Sequence, residues 1–211
     1  MDTTYWGRKF GVMLFKDNIT KENLLKYYVQ YETNLVYIQG IEELKKQGFI
    51  VLAIVCDGRK GLIRSFGNIP VQMCQFHQSA IIRRYLTKTP KLKPSQELME
   101  VVDLMTITDK ESFEGALGLW FEKWEFFLNE RTTNPLTKKS AYTHKKVRSA
   151  YNSLRNNLPW LFTWYDNIEL NIPNTTNAID GHFSDLKNKL RNHNGLSIER
   201  KKKFINEFLK A

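Results

Sequence analysis

Three aspartates stand at positions from which their carboxylates could bind metal ions. Asp57 follows the apolar run 50–56, Asp2 lies in the first predicted strand, and Asp180 lies near the start of a late helix. Carboxylate oxygens and water are the ligands that suit Mg²⁺ or Mn²⁺. Three carboxylates could hold two ions about 3.5–4 Å apart, an arrangement that catalyses phosphodiester cleavage and strand transfer.

The position of Asp57 depends on a predicted strand. The seven consecutive apolar residues 50–56 show no polar alternation and predict a strand buried on both faces. In α/β sheets, ligands bind beyond the carboxyl ends of the strands, which is where Asp57 stands. A single aspartate at a strand end is more often a turn or cap residue, so the hypothesis depends on the other two acids.

The chain before this strand is predicted to form an antiparallel meander and a helix. Residues 2–17, with a turn at 7–9, indicate a hairpin, and 24–32 indicate a third strand. The first strand is predicted to lack its beginning, because almost nothing precedes Asp2. Residues 33–48 predict a helix that ends in Gly48. Its apolar positions at helical spacing are Leu35, Ile38, Ile41 and Leu44.

The chain after Asp57 is predicted to alternate between helix and strand and then to become helical. A short helix over 59–66, a strand over 71–76 and a helix over 78–86 complete the order β-β-β-α-β-α-β-α, which is an α/β fold with a mixed sheet. Broad apolar faces in 112–130 and 145–158 predict two further helices. We assign 88–169 as an all-helical insertion, and 1–87 with 170–211 as the core.

The late helix, predicted from residue 177 to about 191, carries the third acid. Its apolar stripe consists of Ile179, Phe183, Leu186 and Leu190. Asp180 lies one residue off that stripe, and Ser184, Lys187 and Arg191 follow it along its own stripe. An acid that could hold a metal is therefore followed by groups that could hold a phosphate backbone. Thr175 or Thr176 could cap this helix, and 197–210 predict a last, basic helix.

The charge balance favours a polyanionic partner. The chain has 32 Lys and Arg against 22 Asp and Glu, a formal net charge of +10, and such a surplus favours nucleic acid. Lys187, Lys189 and Arg191, beside the third acid, are predicted to contact DNA. For Lys145, Lys146 and Arg148 a DNA contact and an ordinary solvated face are both open.

The cysteine count and the lack of long apolar runs indicate the cellular compartment of the chain. Two cysteines, Cys56 and Cys74, are too few for a disulfide framework and suit a reducing environment. No apolar run approaches the roughly 18 residues of a membrane span, and the first residues lack the apolar region of a signal peptide. We therefore predict a cytoplasmic chain without a membrane partner.

Four segments resemble one protein family. They read D-T-T-Y-W-G-R-K-F-G-V, V-C-D-G-R-K-G, C-Q-F-H and N-T-T-N-A-I-D-G-H-F-S-D-L-K, and together they span nearly the whole chain. The chain resembles the catalytic domain of DDE-type insertion-sequence transposases of the Mutator-like group. This resemblance implies an RNase H-like fold with a helical insertion before the third acid.

The resemblance also implies roles for individual residues. Asp2, Asp57 and Asp180 match the three catalytic acids that bind two Mg²⁺ or Mn²⁺ ions, although the third acid is Glu in most members. Cys74 and His77 match the C/D-x-x-H signature of the family, and His77 is predicted at the active site. The implied enzyme is associated with the bacterial nucleoid, cuts DNA at transposon ends, joins them to target DNA and is at least a dimer on DNA.

Three alternatives stay open. The chain could be a catalytically inactive transposase fragment that only binds DNA or other transposase chains, because no DNA-binding region precedes Asp2. It could be a cellular RNase H-like nuclease. Cys74 and His77 could pack in the core, or could bind zinc with Cys56 and His182, although zinc usually takes four well-spaced ligands.

Overall fold

The computed structural model describes residues 1–193 and 195–210, which form a mixed α/β structure with small sheets. The chain divides into two compact units. The first unit comprises Met1–Val71 and Thr175–Ala211, and the second comprises Gln72–Asn174. Within the described residues, no helix combines the length and the apolar character that crossing a bilayer requires.

The first unit begins with the predicted antiparallel meander. It consists of β1 (Asp2–Trp6), β2 (Phe10–Lys16) and β3 (Asn23–Val29), in the order β1-β2-β3. Asp2 pairs with Leu14 and Trp6 pairs with Phe10, so the connection 7–9 is a tight turn. Gly7 has a φ of +63° in this turn, a conformation that glycine adopts without steric cost. The prediction of a hairpin with a third strand is confirmed.

Helix α1 (Asn34–Lys46) follows the meander, as predicted. It starts at Thr33, whose Oγ1 accepts a hydrogen bond from the N–H of Val36 (3.4 Å). It is followed by Gly48 at a φ of +92°. The buried face contains Tyr37, Ile41 and Leu44, whereas Leu35 is exposed. The predicted face was therefore wrong at Leu35, because Tyr37 takes the buried position.

Strand β4 (Ile54–Cys56) is much shorter than the predicted strand 50–56. Ile50 is 85% exposed and Leu52 is 56% exposed, so the prediction of burial along the whole run was wrong. The N–H of Phe49 still bonds the carbonyl oxygen of Leu44 (3.0 Å) at the end of α1, and the chain then crosses the surface. Strand pairing starts at Ile54, whose N–H donates to the carbonyl oxygen of Pro70 (2.9 Å) just before β5 (Val71–Met73).

The order of elements up to residue 86 agrees with the predicted order, with one difference. The short helix predicted over 59–66 is a single 3₁₀ turn at Ile63–Ser65. Helix α2 (Gln75–Leu86) follows β5 and starts earlier than predicted. Two strands of the sequence prediction, β4 and β5, thus contain only three residues each.

Two apolar layers pack on opposite faces of the meander. Alternate residues of β2 point to opposite faces of the sheet, as pleating requires. Met13 and Phe15 join a core with the buried residues of α1 and β4. Val12 and Leu14 join a second core with α7 (Asn177–Arg191) and α8 (Ile198–Phe208). All four predicted apolar residues of α7 are buried, and this helix has its predicted bounds.

The second unit is mainly helical. After α2 it contains α3 (Lys93–Leu104), α4 (Lys110–Asn129), α5 (Lys145–Leu161) and α6 (Thr163–Asp166), followed by a 3₁₀ turn at Ile168–Leu170. The predicted apolar faces of α4 and α5 are confirmed, because Phe113, Leu117, Trp120, Val147, Tyr151 and Leu154 are buried. The ring of Trp120 stacks on Tyr151, with 5.5 Å between centroids.

The second unit also contains a hairpin that the sequence pattern did not predict. Strands β6 (Arg131–Thr133) and β7 (Ser140–Tyr142) pair between α4 and α5, within the segment 88–169 that was predicted to be all-helical. Both strands are polar and largely exposed, so they lack the apolar alternation by which a half-buried strand is recognised.

Candidate metal-binding site

Asp2 and Asp180 lie side by side in the first unit. Asp2 is only 8% exposed, and its Oδ1 accepts a hydrogen bond from the N–H of Thr3 (2.7 Å). Asp180 lies in the first turn of α7, which packs against β1. Each carboxylate offers one oxygen, and these two oxygens lie within 4.8 Å of one another. The fold thus brings together two of the three predicted acids from opposite ends of the chain.

Thr176 orients the Asp180 carboxylate. It occupies the N-cap position of α7, as predicted, and is buried. Its hydroxyl donates to Oδ2 of Asp180 (3.1 Å) and does not accept a hydrogen bond from the first turn of the helix. Thr176 therefore occupies the predicted N-cap position of α7, but its side chain does not form the predicted capping hydrogen bond. One oxygen of Asp180 is held by this hydroxyl.

Asp57 has an unsatisfied carboxylate oxygen. Its Oδ1 is buried and has no hydrogen-bond partner among the described residues. A buried acceptor without a partner costs about 1–3 kcal/mol, and more when it is charged. No carboxylate oxygen of Asp57 lies within 4.8 Å of the neighbouring oxygens of Asp2 and Asp180 at the same time. Two ions about 3.5–4 Å apart do not require every carboxylate to touch every other one.

Several contacts connect the Asp57 strand to the Asp2 strand. The main-chain nitrogen of Met1 donates to the carbonyl oxygen of Val55 (2.9 Å), so the start of β1 lies beside β4. The hydroxyl of Tyr37 donates to Oε1 of Glu32 (2.6 Å), which leaves Thr3 Oγ1 as the donor to Tyr37 (2.9 Å). Burial, above all, and the Glu32 carboxylate raise the pKa of Tyr37, and the charge of Asp57 adds to this effect. The Tyr37 hydroxyl thus contacts Thr3, the residue that follows Asp2, and its pKa responds to the charge of Asp57.

Arg59 fixes the loop that follows Asp57. Its guanidinium donates to the carbonyl oxygen of Glu32 (2.7 Å) and to Oδ1 of Asn34 (2.8 Å). Its N–H groups also lie 3.6 Å from the Glu32 carboxylate. Glu32, Tyr37 and Arg59 were not among the site residues predicted from the sequence. The only available signal was Tyr37, a hydroxyl-bearing residue close to an apolar helix stripe, and that signal is weak.

Cys74 and His77 belong to the second unit. Cys74 is buried at the N-cap position of α2, and His77 is half-buried in the first turn of that helix. In the first unit, Cys56 packs in the core with α1, whereas the ring of His182 lies 5.0 Å from Phe208 on the opposite face of the meander. Cys56 and His182 therefore cannot serve as two ligands of the zinc site considered above.

The side chains that are predicted to contact DNA differ in whether they already contact other residues of the protein. Lys189 pairs with Asp185 (3.1 Å) on the side of α7 opposite to Asp180, whereas Nζ of Lys187 lies 6.0 Å from the ring centroid of Trp6. In the second unit, Lys145 and Lys146 are exposed. Arg148 stacks over Tyr142 (3.9 Å) and donates to Oδ1 of Asn129 (2.9 Å). Lys189 and Arg148 are therefore already engaged within the protein.

Comparison of the chain with protein families, with curated proteins and with solved structures finds no match. The function of the chain is therefore inferred from the positions of the three aspartates and from the charge around them.

Proposed function

We propose that the chain is the catalytic domain of a DNA transposase in which Asp2, Asp57 and Asp180 bind two divalent metal ions. The observation that carries this proposal is the pair of Asp2 and Asp180 oxygens within 4.8 Å of one another. Two negative charges at that distance repel by about 3 kcal/mol at an effective dielectric constant of about 20. A bound cation offsets this repulsion, and carboxylates favour Mg²⁺ or Mn²⁺.

The connectivity of the first unit supports an RNase H-like fold. The meander has the order β3-β2-β1, Met1 bonds to Val55 beside β4, and Ile54 bonds to Pro70 beside the start of β5. These contacts are consistent with one mixed sheet in the order β3-β2-β1-β4 within the first unit, with Pro70 beside β4. In such a sheet the first acid stands on a central strand and the second at the end of the neighbouring strand. The third acid stands on a helix that packs against them.

The three aspartates have a donor set that fits divalent ions. The Oδ1 of Asp57, which is buried and has no hydrogen-bond partner in the described part of the chain, is an acceptor that a cation would satisfy. Metal ions bound there would activate a water or a 3′-hydroxyl and stabilise the leaving oxygen of the phosphodiester. The Thr3 N–H holds Asp2, and the Thr176 hydroxyl holds one oxygen of Asp180. These hydrogen bonds fix the carboxylates before substrate arrives, which reduces the reorganisation that catalysis requires.

DNA binding beside these acids follows from the same helix. Lys187 and Arg191 lie on the α7 stripe that carries Asp180, so a phosphate backbone can contact them while one phosphodiester lies at the aspartates. The first reaction would free a 3′-hydroxyl at the element end, and that hydroxyl would then attack target DNA. Catalysis by His77, the role of Cys74 and dimer formation on DNA stay predictions.

A nicking assay tests this function. The chain is incubated with a supercoiled plasmid that carries the DNA flanking its own reading frame, in Mg²⁺, in Mn²⁺ and in EDTA. We expect nicks at fixed positions in the flanking DNA with either metal, and none in EDTA, because three carboxylates cannot cleave a phosphodiester without the ions.

The other outcomes of this assay separate the alternatives. Cleavage at scattered positions, with no preference for the flanking DNA, would favour a cellular nuclease. Binding to the plasmid without cleavage in either metal would favour a fragment that only binds DNA. Cleavage of equal rate in EDTA would overturn the metal-dependent mechanism.

A further inference from the structure

Strand β1 and helix α7 run alongside one another, away from the acids. Asp2 begins β1 and lies beside Asp180 in the first turn of α7. At the other end of β1, the Trp6 ring lies 6.0 Å from Nζ of Lys187, two turns further along α7. The two elements therefore lead in the same direction from the aspartates to the β1–β2 turn.

Four cations lie on these two elements or in the turn that follows β1, at the end away from the acids. Arg8 and Lys9 form the β1–β2 turn directly after Trp6, and both are exposed. Lys187 lies over Trp6, and the exposed Arg191 follows it one turn later on the same stripe. None of the four forms an ion pair within the part of the chain that the structure describes. Their positive charge is therefore available to a partner.

The aromatic residues below this group hold Lys187 in place. Trp6 stacks on Phe10, with 5.4 Å between centroids and 17° between planes, and Phe10 is buried. A cation over the face of an indole ring is attracted to it by about 0.5–1 kcal/mol at an exposed site. Nζ of Lys202 on α8 also lies 5.9 Å from the Phe10 ring and adds to the positive charge. Lys187 therefore presents its ammonium group from a defined position.

The spacing between these cations and the acids matches a few nucleotides. A strand rises about 3.3 Å per residue, so Trp6 lies about 13 Å from Asp2. A helix rises about 1.5 Å per residue, so Lys187 and Arg191 lie about 10 and 16 Å from Asp180. Phosphates of one strand follow one another every 3.4 Å or so along a duplex axis. The distance corresponds to roughly three to five nucleotides.

We infer that Arg8, Lys9, Lys187 and Arg191 form a phosphate clamp for duplex DNA. The clamp binds backbone phosphates about three to five nucleotides from the phosphodiester at the aspartates. Such contacts fix the register of the duplex without reading its sequence. The inference rests on the proposed function for the position of the scissile phosphate, whereas duplex binding at the clamp does not depend on catalysis.

The salt dependence of DNA binding tests the clamp. Affinity for a short duplex is measured in Ca²⁺ or in EDTA over a range of salt concentrations, so that no cleavage interferes. Each phosphate contact contributes about −0.9 to the slope of log Kobs against log salt. We expect the double variants Arg8→Gln/Lys9→Gln and Lys187→Gln/Arg191→Gln each to make the slope less negative by about 2.

A matched control makes the measurement specific. Lys45→Gln/Lys46→Gln removes two exposed charges from α1 in the same unit, the same number as each double variant removes. This control should leave the slope as it is in the parent chain. Thermal melting should show that all variants remain folded, because the altered side chains lie at the surface or, for Lys187, over the half-buried ring of Trp6.

An unchanged slope in both double variants, or equal changes in the Lys45/Lys46 control, would overturn the clamp. Ethylation interference on the flanking duplex then measures the spacing. Interference at phosphates about three to five nucleotides from the nick supports the clamp, and interference only elsewhere contradicts it. A chain that shows the expected slopes but cuts no DNA would refute the proposed function and leave the clamp intact.

Discussion

Asp180→Asn should abolish metal-dependent DNA cleavage and at the same time stabilise the metal-free protein. The rate of nicking in Mg²⁺ should fall by about 1000-fold or more, because the variant loses a charged ligand of the ions. In EDTA, the free energy of unfolding should rise by up to about 3 kcal/mol, because the repulsion between Asp180 and the buried Asp2 is removed. Asparagine keeps an acceptor for the Thr176 hydroxyl, so the start of α7 should persist.

A third measurement on this variant does not require activity. Mn²⁺ should raise the melting temperature of the parent chain, since a ligand that binds only the folded state stabilises it. This increase should be absent or much smaller in Asp180→Asn. A residue with only a structural role is not expected to produce both effects. Its replacement would not stabilise the metal-free protein and at the same time reduce the increase in melting temperature that Mn²⁺ causes.

Asp185→Asn is the matched control for this experiment. Asp185 lies on the same helix, is exposed and pairs with Lys189 at the surface. A surface ion pair contributes about 0–1 kcal/mol, so this change should leave the nicking rate and the response to Mn²⁺ nearly unaltered. Equal nicking by Asp180→Asn and the parent chain would remove Asp180 from the mechanism.

Gly40→Val should strongly destabilise the first unit. A Cβ added at Gly40 would meet the ring of Phe15, which is 2% exposed. That ring has little room to move, because it contacts Tyr27 and Tyr37 at centroid distances of 6.1 and 6.3 Å. Overpacking of a core typically costs about 1–3 kcal/mol. We expect a loss near the upper end of this range, about 3 kcal/mol, in urea denaturation.

Gly118→Ala, at an exposed helical glycine of the second unit, should have the opposite effect on stability. Gly118 is exposed on α4, and no atom lies within 4 Å of a Cβ added there. Because glycine is about 1 kcal/mol less favourable than alanine inside a helix, this variant should be more stable than the parent chain. If Gly40→Val were also neutral or stabilising, the close packing of α1 on β2 would be incorrect.

The sequence predicts those elements best whose pattern is local. The bounds and the buried stripe of α7 agree with the structure, because Ile179, Phe183, Leu186 and Leu190 repeat at helical spacing within one segment. The apolar run 50–56 predicted a β4 that is too long, because the pairing of this strand depends on a partner near Pro70 that is distant in sequence. The β6–β7 hairpin was missed for a related reason, since its polar strands bury little surface.

The candidate site could be predicted only in part. Asp2 and Asp180 lie together, and the motifs that contain them suggested such a pair. The hydrogen bonds that support the site could not be read from the chain. Tyr37, Glu32 and Arg59 come from three different segments, and their contacts depend on how those segments pack. The Thr176 bond to Asp180 was likewise hidden, because a threonine before a helix normally suggests a cap.

Anomalous diffraction from crystals soaked in Mn²⁺ tests the central claim most directly. The proposal predicts two peaks about 3.5–4 Å apart. One should lie about 2 Å from oxygens of both Asp2 and Asp180, and one should contact Oδ1 of Asp57. Peaks only at other acidic groups, or no peak at the three aspartates under conditions that support DNA nicking, would contradict it.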